Sequence, residues 1–267
     1  MNKTELIETL KSLGYTVEEK TVTKVNERKE ALIVSKNEIG ITLYPEHLLS
    51  EMSEVIEMVE KQFNEIRNDV VKSFGNRDYI LSHVRCRMVN KERNADLLAD
   101  APHIDFLDLA VIFEVDTTEF TREPSAGIIR NGLMSAAGLT VDELYSHAME
   151  NETIAYDSIM NFLMGYKVET LESATALFVT KPDKLYGATA ILHNEVLAEI
   201  AKLKDDDLII FPSSVHEIIV IPANTGVESS AMREMVSTIN ATEVRPEDFL
   251  SNSVYYYDRA SNTVEFE

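Results

Sequence analysis

Apolar residues along this chain fall into two rhythms, one of three to four residues and one of two, and the rhythms alternate from end to end. The clearest helical stretch is 51–73. There Met52, Val55, Ile56, Val59, Phe63, Ile66 and Val70 recur at three- and four-residue steps, which stacks them on one face. Glutamates and lysines fill the opposite face, and Gly75 and Asn76 end the helix. A shorter helix over 3–13 presents Leu6, Ile7, Leu10 and Leu13 and stops at Gly14. Between the two, Val17 to Val25, Ala31 to Val34 and Ile39 to Tyr44 read as a three-stranded meander closed by Pro45.

The rhythm continues downstream. A strand near 83–89 precedes a helix over 91–99, which Pro102 closes. Leu107, Leu109, Val111, Phe113 and Val115 occupy alternate positions and predict a strand with one fully apolar face. Thr140 and Glu143 form a capping box for a helix to about 150, each side chain able to satisfy a free backbone amide. Strands are expected at 126–130, 174–180, 188–192, 208–211 and 216–221, with a helix over 194–203. A helix over 228–240 carries Met232, Met235, Val236 and Ile239, Pro246 opens a helical turn, and 253–258 with 263–266 form a hairpin. The pattern predicts an α+β fold, a mixed β-sheet covered by helices. Residues 1–80 form a small N-terminal α+β subdomain and 81–267 the main domain.

Composition narrows the setting. The 267 residues are 45% hydrophobic, enough for a sizeable core. No run of about 18 apolar residues is present, so no membrane-spanning helix is expected. The start, Met1 to Leu6, has no apolar leader, and the single cysteine, Cys86, suits a reducing compartment. A cytoplasmic protein is expected. The net charge is −21, distributed as about −4 over 1–75, −6 over 76–150 and −11 over 151–267. Such a balance opposes direct nucleic-acid binding, whose affinity comes largely from Lys and Arg displacing counterions.

Established chemical motifs are missing, and with them any indication of a cofactor. The nine glycines form neither GxGxxG nor a phosphate loop, and His216-Glu217 has no second histidine at zinc-protease spacing. Three polar constellations remain as candidates for a ligand or partner site. Asn90 and Asn94 lie one helical turn apart, so their amides share a face and can cap a helix or grip a ligand or loop. His103 and Asp108 border the strand that follows Pro102. Ser213, Ser214, His216 and Glu217 sit between two apolar strands; alternation puts His216 and Glu217 on opposite faces, so they cannot act as a base and its orienting partner. If the strands at 107–115 and 216–221 are neighbours in one sheet, these segments border a common cleft.

Three functions fit. The first is a non-catalytic binding or regulatory module for an unidentified protein or small molecule. The second is a hydrolase or transferase of unrecognised type using His216, His103 or Asp108 as acid or base. The third is an acidic mimic of nucleic acid that occupies the groove of a basic partner.

Several blocks resemble an uncharacterised bacterial family abundant in gut anaerobes and known only as a domain of unknown function. They are Met88-Val89-Asn90, Asn94, Leu97-Leu98, Pro102-His103 and Phe106-Leu107-Asp108-Leu109-Ala110. Gly138-Leu139-Thr140 with Glu143-Leu144, Phe178-Val179-Thr180, Pro212-Ser213-Ser214 with His216-Glu217, and Val254 to Arg259 extend the likeness over 86–259. A tryptophan common before the Gly-Leu-Thr turn is replaced here by Ser135-Ala136-Ala137. The resemblance implies no activity; it adds only that the polar residues above belong to the family's pattern.

Overall fold

The computed structural model describes residues 2–36, 39–44, 50–65, 73–120, 126–226 and 228–267. Ile66 and Val70, expected in a helix over 51–73, and Pro45 lie outside the described residues. Helix α1 (Lys3–Ser12) starts at Asn2, whose side chain accepts the Thr4 amide, and buries Leu6 and Leu10. Strands β1 (Thr16–Lys24), β2 (Glu27–Lys36) and β3 (Ile39–Leu43) form the expected antiparallel meander. Helix α2 (Met52–Glu65) adds Val55 and Val59 to a small core with Leu6, Leu10, Leu32, Val34 and Leu43.

The second sheet follows α3 (Arg77–His83) and contains β4 (Val84–Asn90), β5 (His103–Phe106), β6 (Leu109–Asp116) and β7 (Ala126–Ile128). The short helix α4 (Ala95–Leu98) lies between β4 and β5. β6 is central, with β4 along one side and β5 and β7 along the other. The alternating pattern over 107–115 therefore splits. Leu107, at φ +54°, and Asp108 make the β5–β6 turn. β6 itself is buried on both faces as far as Val115, because Val111, Phe113 and Val115 enter the main core while Ala110 and Ile112 pack on Val89, Leu97 and Leu98.

The rest of the chain contributes α5 (Asn131–Ala136), α6 (Val141–Asn151), β8 (Ala155–Ser158), α7 (Ile159–Met164), β9 (Leu177–Thr180), α8 (Asn194–Lys204), β10 (Leu208–Ser214), β11 (Glu217–Pro222), α9 (Ser229–Thr242), β12 (Tyr255–Asp258) and β13 (Thr263–Phe266). The capping box at Thr140 and Glu143 is present. The strands form one six-stranded sheet in the order β13-β12-β10-β11-β9-β8. Its inner face, including Ile210, Ile218, Val220, Tyr255 and Tyr257, shares a core with β4 and β6.

The α+β class holds, with the strands distributed over three sheets in place of one mixed sheet. Every pairing among the described residues is antiparallel, so no parallel crossover organises the fold. The strand expected at 188–192 is a 3₁₀ helix over Gly187–Leu192, buried from Gly187 to Ile191. An apolar run without a period fits a buried helix as well as a strand. Gly187 is required there, since a Cβ would come within 2.2 Å of Thr180 Oγ1 and 2.6 Å of the His216 carbonyl. Among the described residues no helix is long and apolar enough to cross a membrane.

Candidate functional site

β6 and β11 belong to different sheets, so the neighbouring strands expected to unite the polar segments do not exist. Three of the selected residues, Asn90, Asp108 and His216, instead meet a third piece of chain, 245–255, and Asn94 reaches it through Asn26. Asn90 donates its amide to the Leu250 carbonyl at 3.0 Å and accepts the Arg93 amide at 2.9 Å. Asn94, 2% exposed, makes a reciprocal amide pair with Asn26 at the tip of the β1–β2 hairpin. Asn26 in turn donates to the carbonyls of Pro246, Glu247 and Phe249. Its φ of +61° is the left-handed conformation that asparagine tolerates better than most side chains. The two amides grip a loop of the protein itself.

Asp108 completes this fastening. Its carboxylate accepts hydroxyls from Ser251 at 2.5 Å, Ser253 at 3.0 Å and Tyr255 at 2.7 Å. Burial, with the Asp108 charge beside it, pushes the Tyr255 phenol far above its ordinary range. From the other side, Nδ1 of His216 accepts the Tyr186 amide at 3.2 Å and Nε2–H donates to Asp248 at 3.2 Å. Both ring nitrogens are thus engaged by the protein itself. Its ring stacks on Tyr186, which also faces the guanidinium groups of Arg87 and Arg85, 4.0 and 5.6 Å from the ring centre. Ser214 donates to Glu217 at 2.9 Å and accepts the His216 amide at 3.0 Å, which fixes the β10–β11 turn.

His103 stands apart on β5. Its Nδ1–H donates to the Ala101 carbonyl at 2.9 Å, and Asp105 lies 3.9 Å from Nε2. Among the described residues no group of three or more His, Cys, Asp or Glu side chains is arranged to hold a metal ion.

A buried ionic cluster escaped the sequence reading. Glu152, just past the end of α6, accepts the Cys86 amide at 3.0 Å, Lys181 at 3.4 Å and His193 Nε2 at 3.4 Å, with its side chain only 2% exposed. Burial alone raises its carboxyl pKa, but the His193 hydrogen bond, the Lys181 charge and Thr189 outweigh that and hold it below the usual carboxylate range. Burial works against a charged His193 too, and its bonds to Glu152 and Glu195 hold its pKa above the ordinary value. The cluster ties the edge of β4 to the ends of β9 and α8, and its Glu152 and Lys181 line a cleft of about 390 Å³ together with Arg85 and Asp116. Residues at 152, 181 and 193 carry no spacing that marks them as partners.

The outer face of the six-stranded sheet is different. Ile209 and Phe211 of β10, with Val254 next to β12, pack under Met232 and Val236 of α9. Phe178 of β9 stacks under Phe162 of α7, ring centres 4.0 Å apart. Phe178 is registered with Ile219, and Ile219 with Phe211, so all three share this face. β11 lies between the two covered regions. Above it runs an apolar groove of about 300 Å³, floored by Phe211, Ile219 and Ile221, walled by Met232, Met235 and Ile239, and bounded by Ala176. Ser213 and Asn240 are its polar lining residues. Ser213 is thus the one residue of the eight selected from sequence that lines the groove. Beyond Ala176, α7 and its sequel expose Met160, Phe162, Leu163, Met164, Tyr166 and Val168. A signal for this region was present in Ile159-Met160-Asn161-Phe162-Leu163-Met164, a run apolar at all but one position and therefore without a solvent face.

Comparison with curated proteins finds no match, and comparison with solved structures finds none either. The family model described as "Family of unknown function (DUF5688)" matches residues 2–259, nearly the whole chain and including the meander, the fastened 245–255 segment and the groove. The chain belongs to this family of unknown function, DUF5688.

Proposed function

We propose that the protein is a non-catalytic binding module that holds a partner protein through the groove on the outer face of its six-stranded sheet. The observation that carries this reading is the incomplete cover of that face. α9 and α7 leave the side chains of β11 at the bottom of an open, apolar trough, next to a run of exposed methionine and aromatic side chains. A contiguous exposed apolar surface rimmed by polar residues marks an interaction site in a soluble protein. Methionines suit the role, because their flexible thioethers repack around different anchors. The polar residues near 90–108 and 214–217 support the reading indirectly: their hydrogen-bonding capacity goes to holding the chain together.

The test is photo-crosslinking in the native cell with a benzophenone amino acid at Met235. Discrete crosslinked species are expected, and Ile239→Glu in the same chain abolishes them. The same species from a probe at Lys20 of β1, far from the groove, would overturn the assignment.

A further inference from the structure

Given that reading, we infer that the groove's occupant is an amphipathic helix with a basic polar face, presented by the partner protein. The floor strand β11 is paired on both sides, to β10 and to β9, so the groove offers side chains and no free sheet edge. An extended segment laid there would find almost no backbone partners, since the lining is apolar apart from Ser213 and Asn240. Unpaired backbone amides and carbonyls in an apolar trough are costly. A helix carries its own hydrogen bonds and meets the groove with apolar side chains at three- and four-residue spacing.

The sign of its polar face follows from charge. The α9 segment 228–243 carries Glu228, Glu234 and Glu243 against one cation, Arg233, which donates to a Glu267 oxygen. Around α7 the charges balance: Asp157, Glu169 and Glu172 are met by Lys167, by Lys184 over the Phe162 ring and by Lys204 on the Leu171 and Ala174 carbonyls. The acidic bank is therefore α9, within a chain of net charge −21. A second copy would bring the same net charge and be repelled, whereas a basic helix is drawn in and oriented by the α9 bank.

The test uses the full chain and two fluorescein-labelled 15-residue model helices with leucines at three- and four-residue spacing. One has lysine and the other glutamate at its remaining positions, and binding is read by anisotropy at physiological salt. The Leu–Lys helix binds saturably, and the Leu–Glu helix binds at least ten-fold more weakly. Ile239→Glu, at an exposed position of α9, weakens the Leu–Lys helix at least ten-fold even though it adds negative charge. Equal binding of both helices, lost for both in Ile239→Glu, overturns the basic partner and leaves the groove as the binding site. Leu–Lys binding that is unchanged or stronger in Ile239→Glu reflects surface charge alone and overturns both assignments. A dimer in sedimentation that Ile239→Glu dissolves makes the occupant a second copy and overturns the basic helix.

Discussion

The junction around 245–255 and the outer face of the six-stranded sheet lie in the same half of the fold and are opposites in chemistry. At the junction, two asparagines, an aspartate and a histidine spend their hydrogen bonds on the protein itself. On the outer face, large apolar side chains remain uncovered beside a groove. Polar residues that stand out in a sequence mark places where burial had to be compensated, and such compensation fastens a fold as readily as it builds a site. The comparison therefore locates function where the structure leaves surface unsatisfied.

Substitutions can break this comparison. The largest loss is expected from Asp108→Ala, which strands three hydroxyls in a half-buried junction. At about 1.5–3 kcal/mol for each bond to a charged group, and less than additive, the loss is about 4 kcal/mol by urea denaturation. A loss below about 1 kcal/mol would show that the junction is not the fastening described. Glu152→Gln, which leaves Lys181 as an uncompensated buried charge, costs about 3 kcal/mol on the same measure. Asn94→Ala breaks the link to the β1–β2 hairpin at a cost of about 2 kcal/mol. Hydrogen exchange at Val25 and Asn26 then rises ahead of exchange in β10, and uniform protection across both regions would contradict the linkage.

The cluster at Glu152 also sets a pH window. His193 has a raised folded-state pKa, so its contribution is fully present below its unfolded value of about 6.5 and is lost as pH rises through the folded value. Glu152 has a lowered one, so its contribution is present above about 4.3 and is lost as pH falls through its folded value. Stability measured against pH falls on the alkaline side in the natural protein, and His193→Gln flattens that limb. Identical limbs in the two proteins would remove His193 from the account. The smallest stability effect belongs to the groove: Ile239→Glu shifts unfolding by no more than about 0.5 kcal/mol while removing the crosslinks from position 235. A large loss of stability there would make the outer face part of the core and erase the contrast.

Local rules made much of the architecture legible. The α1 and α2 faces, the meander, the capping box at Thr140 and the helix carrying Met232, Met235, Val236 and Ile239 follow from period and caps, because each depends on residues within a turn or two of one another. Asn90 and Asn94 were recognisable as amides able to grip a loop, but they do not share a helical turn: Asn90 ends β4 and Asn94 directly precedes α4, and their partners at Leu250 and Asn26 left no trace in the sequence. Sequence by itself determined the α+β class, the amphipathic faces and the family. Only the tertiary structure decided that the strands divide among three antiparallel sheets, that Glu152, Lys181 and His193 meet in one cluster, and that β11 is left uncovered between α9 and α7. Those outcomes rest on contacts between residues tens to hundreds of positions apart, where hydrogen-bond satisfaction and packing select the partner and no local periodicity records the choice.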